Sequence, residues 1–108
     1  MHVKFGTALL ILFLVGASAS AEIVSVQNRG LIDLSGFVCT DVSKSYIRRV
    51  CYDSTHRYML VDLNGLWHDY CGITKVKVRK LLAAESVARY FSAHVRRQYN
   101  CPPHPAMN

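Results

Sequence analysis

No apolar run in this 108-residue chain is long enough to span a membrane. The longest, from Ala8 to Val15, stops at Gly16 and reaches only about half the roughly 20 residues a spanning helix needs. There is no Gly-x-Ser-x-Gly elbow, the strained turn that exposes a nucleophilic serine. No glycine-rich loop is present to cradle a phosphate. The cysteines number four, so full pairing leaves no spare thiolate for a Cys–His catalyst. Internal repeats, low-complexity stretches and linkers are also missing, which argues for a single domain. Acids are few: seven Asp and Glu against thirteen Lys and Arg.

Residues 1–21 have the three-part grammar of a secretory signal peptide. Lys4 supplies the positive start, the run from Ala8 to Val15 the apolar centre, and Ala19-Ser20-Ala21 the small residues before a cut. Cleavage is expected between Ala21 and Glu22, leaving about 87 residues in the periplasm or the secreted fraction. Cys39, Cys51, Cys71 and Cys101 all fall in this exported part. An even count in a short exported chain reads as a disulfide framework. A domain this small buries only about 60% of its unfolded surface. Two bridges, at roughly 3 kcal/mol each in the loop-entropy model, therefore matter to it.

The expected organisation is a signal peptide at 1–21, an N-terminal arm at 22–44, a domain at 45–99 and an irregular tail at 100–108. In the arm, Ile23-Val24-Ser25-Val26 suits a short strand, and Asn28-Arg29-Gly30 and Ser35-Gly36 suit turns. Tyr46 to Tyr52 is rich in strand formers, and Asp53-Ser54-Thr55-His56 reads as a turn. Residues 57–63 alternate, with Met59, Val61 and Leu63 on one face and Leu60 and Asp62 on the other. Asn64-Gly65 is a strong hairpin signal because both turn positions favour positive φ. A two-residue turn there pairs Leu63 with Leu66, Val61 with His68 and Met59 with Tyr70. Thr74 suits the N-cap of a helix to about Ala84, carrying Val78, Leu81 and Leu82 on one side. A second helix begins near Ser86, with Val87, Tyr90, Phe91, His94 and Val95 in one stripe. The fold class is α+β: a three-stranded antiparallel β-meander packed against two C-terminal helices and stapled by two disulfides.

Meander geometry narrows the bridges. Cys51 and Cys71 would lie on its two outer strands, about 9–10 Å apart, beyond disulfide reach. Two connectivities remain. Cys39–Cys51 with Cys71–Cys101 is preferred, tying arm and tail each to one edge; the crossed alternative is Cys39–Cys71 with Cys51–Cys101.

The stretch from about Ser45 to Tyr99 resembles the KTSC domain, a module named for its occurrence at the C-terminus of some lysyl-tRNA synthetases. The blocks that carry the resemblance are Val50-Cys51-Tyr52-Asp53, Met59-Leu60-Val61-Asp62-Leu63, Gly65-Leu66-Trp67 and Leu81-Leu82-Ala83-Ala84. The last block runs Ser86-Val87-Ala88-Arg89-Tyr90-Phe91-Ser92-Ala93-His94-Val95. Ala88 stands where the family pattern has Gly, and Ser92 where it has Asn. Ala favours a regular helix over Gly by about 1 kcal/mol. The synthetase context implies nucleic-acid binding for the family. The four cysteines resemble its small exported bacterial members.

The charge is asymmetric. Between residues 75 and 97 lie seven basic residues and one acid, Glu85. Such a stretch suits an anionic partner: a protein, an envelope polymer, a lipid surface or a nucleic acid. The competing explanation is an ordinary solvated face. The expected anion-binding residues are Lys77, Lys80, Arg89, Arg96 and Arg97. Tyr46, Tyr52, Tyr58, Trp67 and Tyr70, interleaved with Arg48, Arg49 and Arg57, could form a stacking surface for bases or sugars, or could build the core. His68-x-x-Cys71 and Cys101-x-x-His104 have ligand-like spacing, but residues three apart on a strand face opposite sides. Asp62 and Asp69 near each other across the hairpin are explained by a polar strand face. His94, within the apolar stripe, suits a core edge better than a general base. The sequence therefore predicts an exported, non-enzymatic binding module with no metal or cofactor. The alternative is a small hydrolase of the cell envelope or nucleic acid, for which His68 with Asp69 is the one local pair.

Overall fold

The computed structural model describes residues 21–42 and 45–103. The expected signal peptide lies outside the described residues except for Ala21, and so do residues 43–44 and the end of the tail, 104–108. Six strands come first: β1 (Ile23–Val26), β2 (Gly30–Asp33), β3 (Val38–Asp41), β4 (Ile47–Asp53), β5 (Tyr58–Leu63) and β6 (Leu66–Cys71). Two helices follow, α1 (Lys75–Ala83) and α2 (Val87–His94). A 3-10 turn, Leu34–Gly36, separates β2 from β3.

The hairpin forms where its turn chemistry demands. Asn64 and Gly65 take φ values of 53° and 95°, and the Gly65 amide donates to Asp62 Oδ1 at 2.6 Å. The resulting β5–β6 register pairs Leu63 with Leu66, Val61 with His68 and Met59 with Tyr70. Both helices start at hydroxyl N-caps. Thr74 Oγ1 accepts from the Lys77 amide at 3.3 Å, and Ser86 Oγ from the Arg89 amide at 3.2 Å.

The antiparallel meander β4-β5-β6 is the centre of a larger sheet, not the whole of it. The full order is β2-β1-β6-β5-β4-β3. The arm, in which one short strand was expected at Ile23–Val26, supplies three strands of four residues each. β1 meets β6 in parallel, at Val26 and Trp67, so the sheet is mixed. β4 and β6 are consequently interior strands, not edges.

Chain connectivity forces this sheet to curl. Its two edges, β2 and β3, are consecutive in sequence. Six flat strands would hold their edges about 24 Å apart. The chain from Asp33 to Val38 reaches about 17 Å at most when extended, and part of it is coiled into the 3-10 turn. Inside the curl, Val26, Leu34, Cys51, Leu60 and Trp67 form a buried cluster, flanked by Phe37 and Tyr58. On the outer face, Ile47, Val50, Tyr52, Met59, Val61 and Tyr70 pack against Ile73, Val78, Leu81, Phe91 and Val95. Period-two alternation thus serves two apolar layers.

Cys39 lies directly opposite Cys51 in the β3–β4 ladder, and the two are bridged with Cα atoms 4.0 Å apart. Cys71 is bridged to Cys101 with a Cα separation of 4.9 Å. This is the connectivity preferred from the sequence. The first bridge fastens the β3 edge strand, and the second holds the C-terminal stretch beside β6. His94 departs from its expected place at the core edge. It is exposed and stacks on Tyr90 with ring centroids 4.6 Å apart. The stripe is completed inside the core by Phe91 and Val95, which are fully buried.

Candidate functional site

The acids of the chain gather on the sheet, whereas its longest run of bases lies on the helical side. Six of the seven acids lie on the sheet or its turns, and each has a local partner. Glu22 Oε2 accepts from Arg49 Nη1 at 2.6 Å, and Asp41 lies 3.5 Å from Arg49 Nε. Asp33 accepts from the Ser35 amide at 2.9 Å, and Asp62 caps Gly65. Asp53 takes the Thr55 amide at 3.0 Å and the His56 ring at 2.7 Å. The His56 hydrogen bond holds the Asp53 carboxyl below its ordinary range. Asp69 is engaged by Arg29 and Tyr58. Glu85, between the helices, is the remaining acid.

The basic residues expected to bind anions are all on the helical side. Among the described residues, no carboxylate pairs with Lys77, Lys80, Arg89, Arg96 or Arg97. They do not form one cluster. Lys77 is half-buried, with its ammonium 5.8 Å from the centre of the Tyr90 ring. Arg89 borders a shallow hollow with Glu85, Tyr90 and His94. Lys80 and Arg97 are exposed. Arg96, just beyond α2, forms part of a separate hollow next to β6.

That hollow arises because β6 changes neighbours along its length. At one end the Gln27 amide donates to the Trp67 carbonyl at 2.9 Å; at the other the Cys71 amide donates to the Tyr99 carbonyl at 2.8 Å. Between them is a gap of about 660 Å³. The β1–β2 turn supplies Gln27, Asn28 and Arg29 to it, β6 supplies His68 and Asp69, and the C-terminal stretch supplies Arg96, Asn100 and Pro102. Main-chain groups alternate in direction along a strand. The Trp67 carbonyl and Cys71 amide both point to this edge, so the Asp69 amide and carbonyl do too. Neither has a main-chain partner on that edge among the described residues.

One arginine is held firmly across the gap. Arg29 Nε donates to Asp69 Oδ2 at 2.7 Å, and its Nη2 donates to the Pro102 carbonyl at 3.2 Å. The Tyr58 hydroxyl donates to the same Asp69 oxygen at 2.8 Å. The Arg29 and Asp69 side chains are only 19% and 13% exposed. Burial, then the hydrogen bond to Asp69, push the Tyr58 phenol far up. The Asp69 hydrogen bond likewise raises the Arg29 guanidinium above its ordinary value. Asn28, with φ of 62°, makes the tight turn that delivers Arg29.

Arg29, Asn28 and Asn100 were not among the residues singled out from the sequence. The Asn28-Arg29-Gly30 turn was visible, but its meeting with β6 and the tail is non-local. The stacking surface does not form: Tyr52, Trp67 and Tyr70 are core residues, 8%, 9% and 6% exposed. His68 and Asp69 border the same hollow, yet the Asp69 carboxylate faces Arg29 and Tyr58, because adjacent strand residues point to opposite faces. Cys71 and Cys101 are joined to each other, so neither sulfur is a free thiolate for the spacing noted around His68 and His104.

A family model described as KTSC domain matches residues 43–99. The crystal structure of a KTSC domain protein from Yersinia pestis is similar in fold, with a TM-score of 0.57 at 20% identity. The match covers 63% of this chain and 97% of that one. No curated protein matches the chain.

Proposed function

The chain belongs to the KTSC domain family, and we propose that this member is an exported, non-enzymatic binding module whose basic helical side meets an anionic partner. It works in the periplasm or as a secreted protein. The disulfides Cys39–Cys51 and Cys71–Cys101 support an oxidising compartment, as does the signal-peptide grammar of residues 1–21. One observation carries the binding reading: the sheet consumes six of the seven acids locally, which leaves Lys77, Lys80, Arg89, Arg96 and Arg97 without a carboxylate partner among the described residues. Cations left uncompensated on one side of a small molecule set up a field that concentrates anions there.

The test is a salt series against a soluble polyanion such as heparin. Each cation that displaces a counterion contributes to the slope of log affinity against log salt. Replacing Arg96 and Arg97 with Gln together is expected to flatten that slope by about 2 if both charges are engaged. Affinity that holds at high salt in the doubly substituted protein overturns the reading.

A second reading, a small hydrolase of envelope polymer or nucleic acid, draws on the hollow beside His68. It requires His68 to act without the Asp69 carboxylate, which Arg29 and Tyr58 engage. Turnover that is lost in His68→Ala and kept in Asp69→Asn would favour it over the binding module.

A further inference from the structure

We infer that the hollow beside β6 is a recognition site for a uronate-bearing glycan: an acidic polysaccharide whose carboxylates meet Arg96 and Arg29 while its hydroxyls meet the surrounding amides. The inference rests on the binding-module reading and gives it a place and a ligand class.

The site is built, not incidental. Its arginine from the β1–β2 turn is fixed at both ends, to Asp69 at 2.7 Å and to the Pro102 carbonyl at 3.2 Å. Asp69 is in turn held by the Tyr58 hydroxyl. A guanidinium has five N–H donors, and these contacts use two; Asp69 balances the Arg29 charge, so Arg29 offers a ligand its remaining N–H donors and Arg96 the unbalanced charge. An arginine fixed before the ligand arrives loses little conformational freedom on binding. The opposite wall is equally constrained, because the Cys71–Cys101 bridge and the Cys71 amide to Tyr99 carbonyl bond fasten the C-terminal stretch to β6. Arg96, exposed and without a carboxylate partner among the described residues, completes the pair. Guanidinium forks match carboxylates in two-point geometry.

The rest of the lining selects the class of anion. Gln27, Asn28 and Asn100 each offer an amide donor and an acceptor, and the Asp69 main chain adds one of each. Such paired groups suit hydroxyls, which both donate and accept. A volume near 660 Å³ is in the range of pockets that hold ligands of a few rings. A single-stranded nucleic acid would need several exposed rings for base stacking; Tyr70 at this hollow is 6% exposed, which leaves the half-buried His68 imidazole alone.

The test uses the disulfide-bonded, isotope-labelled protein. A galacturonate hexamer is titrated against it, with maltohexaose as the neutral glycan and a six-nucleotide thymidine strand as the other polyanion. The galacturonate hexamer is expected to shift the Asp69, Asn28 and Asn100 amide signals and to bind tighter than either control. Arg96→Gln should weaken it about tenfold or more, as for a lost charge-assisted hydrogen bond. Lys80→Gln should cost about twofold, as for an exposed charge. Equal losses for Lys80→Gln and Arg96→Gln overturn the hollow as the site but leave the cationic side as the binding surface. Tighter binding of the thymidine strand, or equal binding of maltohexaose, overturns the ligand class. If neither the hexamer nor the strand binds, the hollow is overturned as a glycan site, while the binding-module reading stands or falls on the heparin salt series.

Discussion

Tyr70 joins the outer core to the hollow. Its ring meets Phe91 edge-on with centroids 5.4 Å apart, and burial pushes its phenol up to about 12 from an ordinary 10. The folded state therefore favours the neutral phenol. That contribution to stability is fully present below pH 10, falls as pH rises from 10 to 12, and is absent above. The expected outcome is that Tyr70→Phe loses less stability than the parent protein between pH 9 and pH 11, measured as urea midpoints. An identical drop in both proteins would show that Tyr70 ionisation does not govern alkaline unfolding. Tyr52 and Tyr58 carry shifts of the same sign, so some alkaline sensitivity remains in the variant. At this scale the sequence named the types of residue well and their company poorly. Asp69 was paired with His68 by adjacency, whereas strand geometry turns its carboxylate to Arg29 in the β1–β2 turn of the arm.

The elements from β4 onward were legible because each carries a local signal. Asn64-Gly65 sets the hairpin register, and Thr74 and Ser86 begin the helices with their own side chains. Removing one signal should weaken its element measurably. Thr74→Ala deletes the oxygen that accepts from the Lys77 amide and is expected to cost about 1 kcal/mol, read by denaturant melts, with Thr74→Ser close to the parent. A cost as large for Thr74→Ser would assign the effect to packing and not to capping. The arm was not legible to the same degree. Its strands are four residues long, and only Val26 among the twelve strand residues is fully enclosed. The parallel contact of β1 with β6 has no sequence mark, because its partners are far apart in the chain and no helix crossover announces them.

For the molecule as a whole, the curl is the organising feature, and Leu34 is where it can be tested. Leu34 is 5% exposed and sits inside the curl with Val26, Leu60 and Trp67. It also lies on the short connector that joins the two sheet edges. Leu34→Ala is expected to cost about 2–5 kcal/mol, the range for truncating a buried leucine. Trp67 fluorescence should shift to the red as its enclosure loosens. A stability change with no change in Trp67 emission would mean that the connector closes the curl without the leucine.

The bridges join neighbours along the chain, first cysteine to second and third to fourth, with separations of 12 and 30 residues. If the chain is exported as proposed, threading N-terminus first presents Cys39 and Cys51 to the oxidant before Cys71 and Cys101 have both emerged. Once that first ring closes, the two late sulfurs have only each other. Oxidative maturation along this order would reach the native pattern without a mispaired species to undo, and so would not need an isomerase.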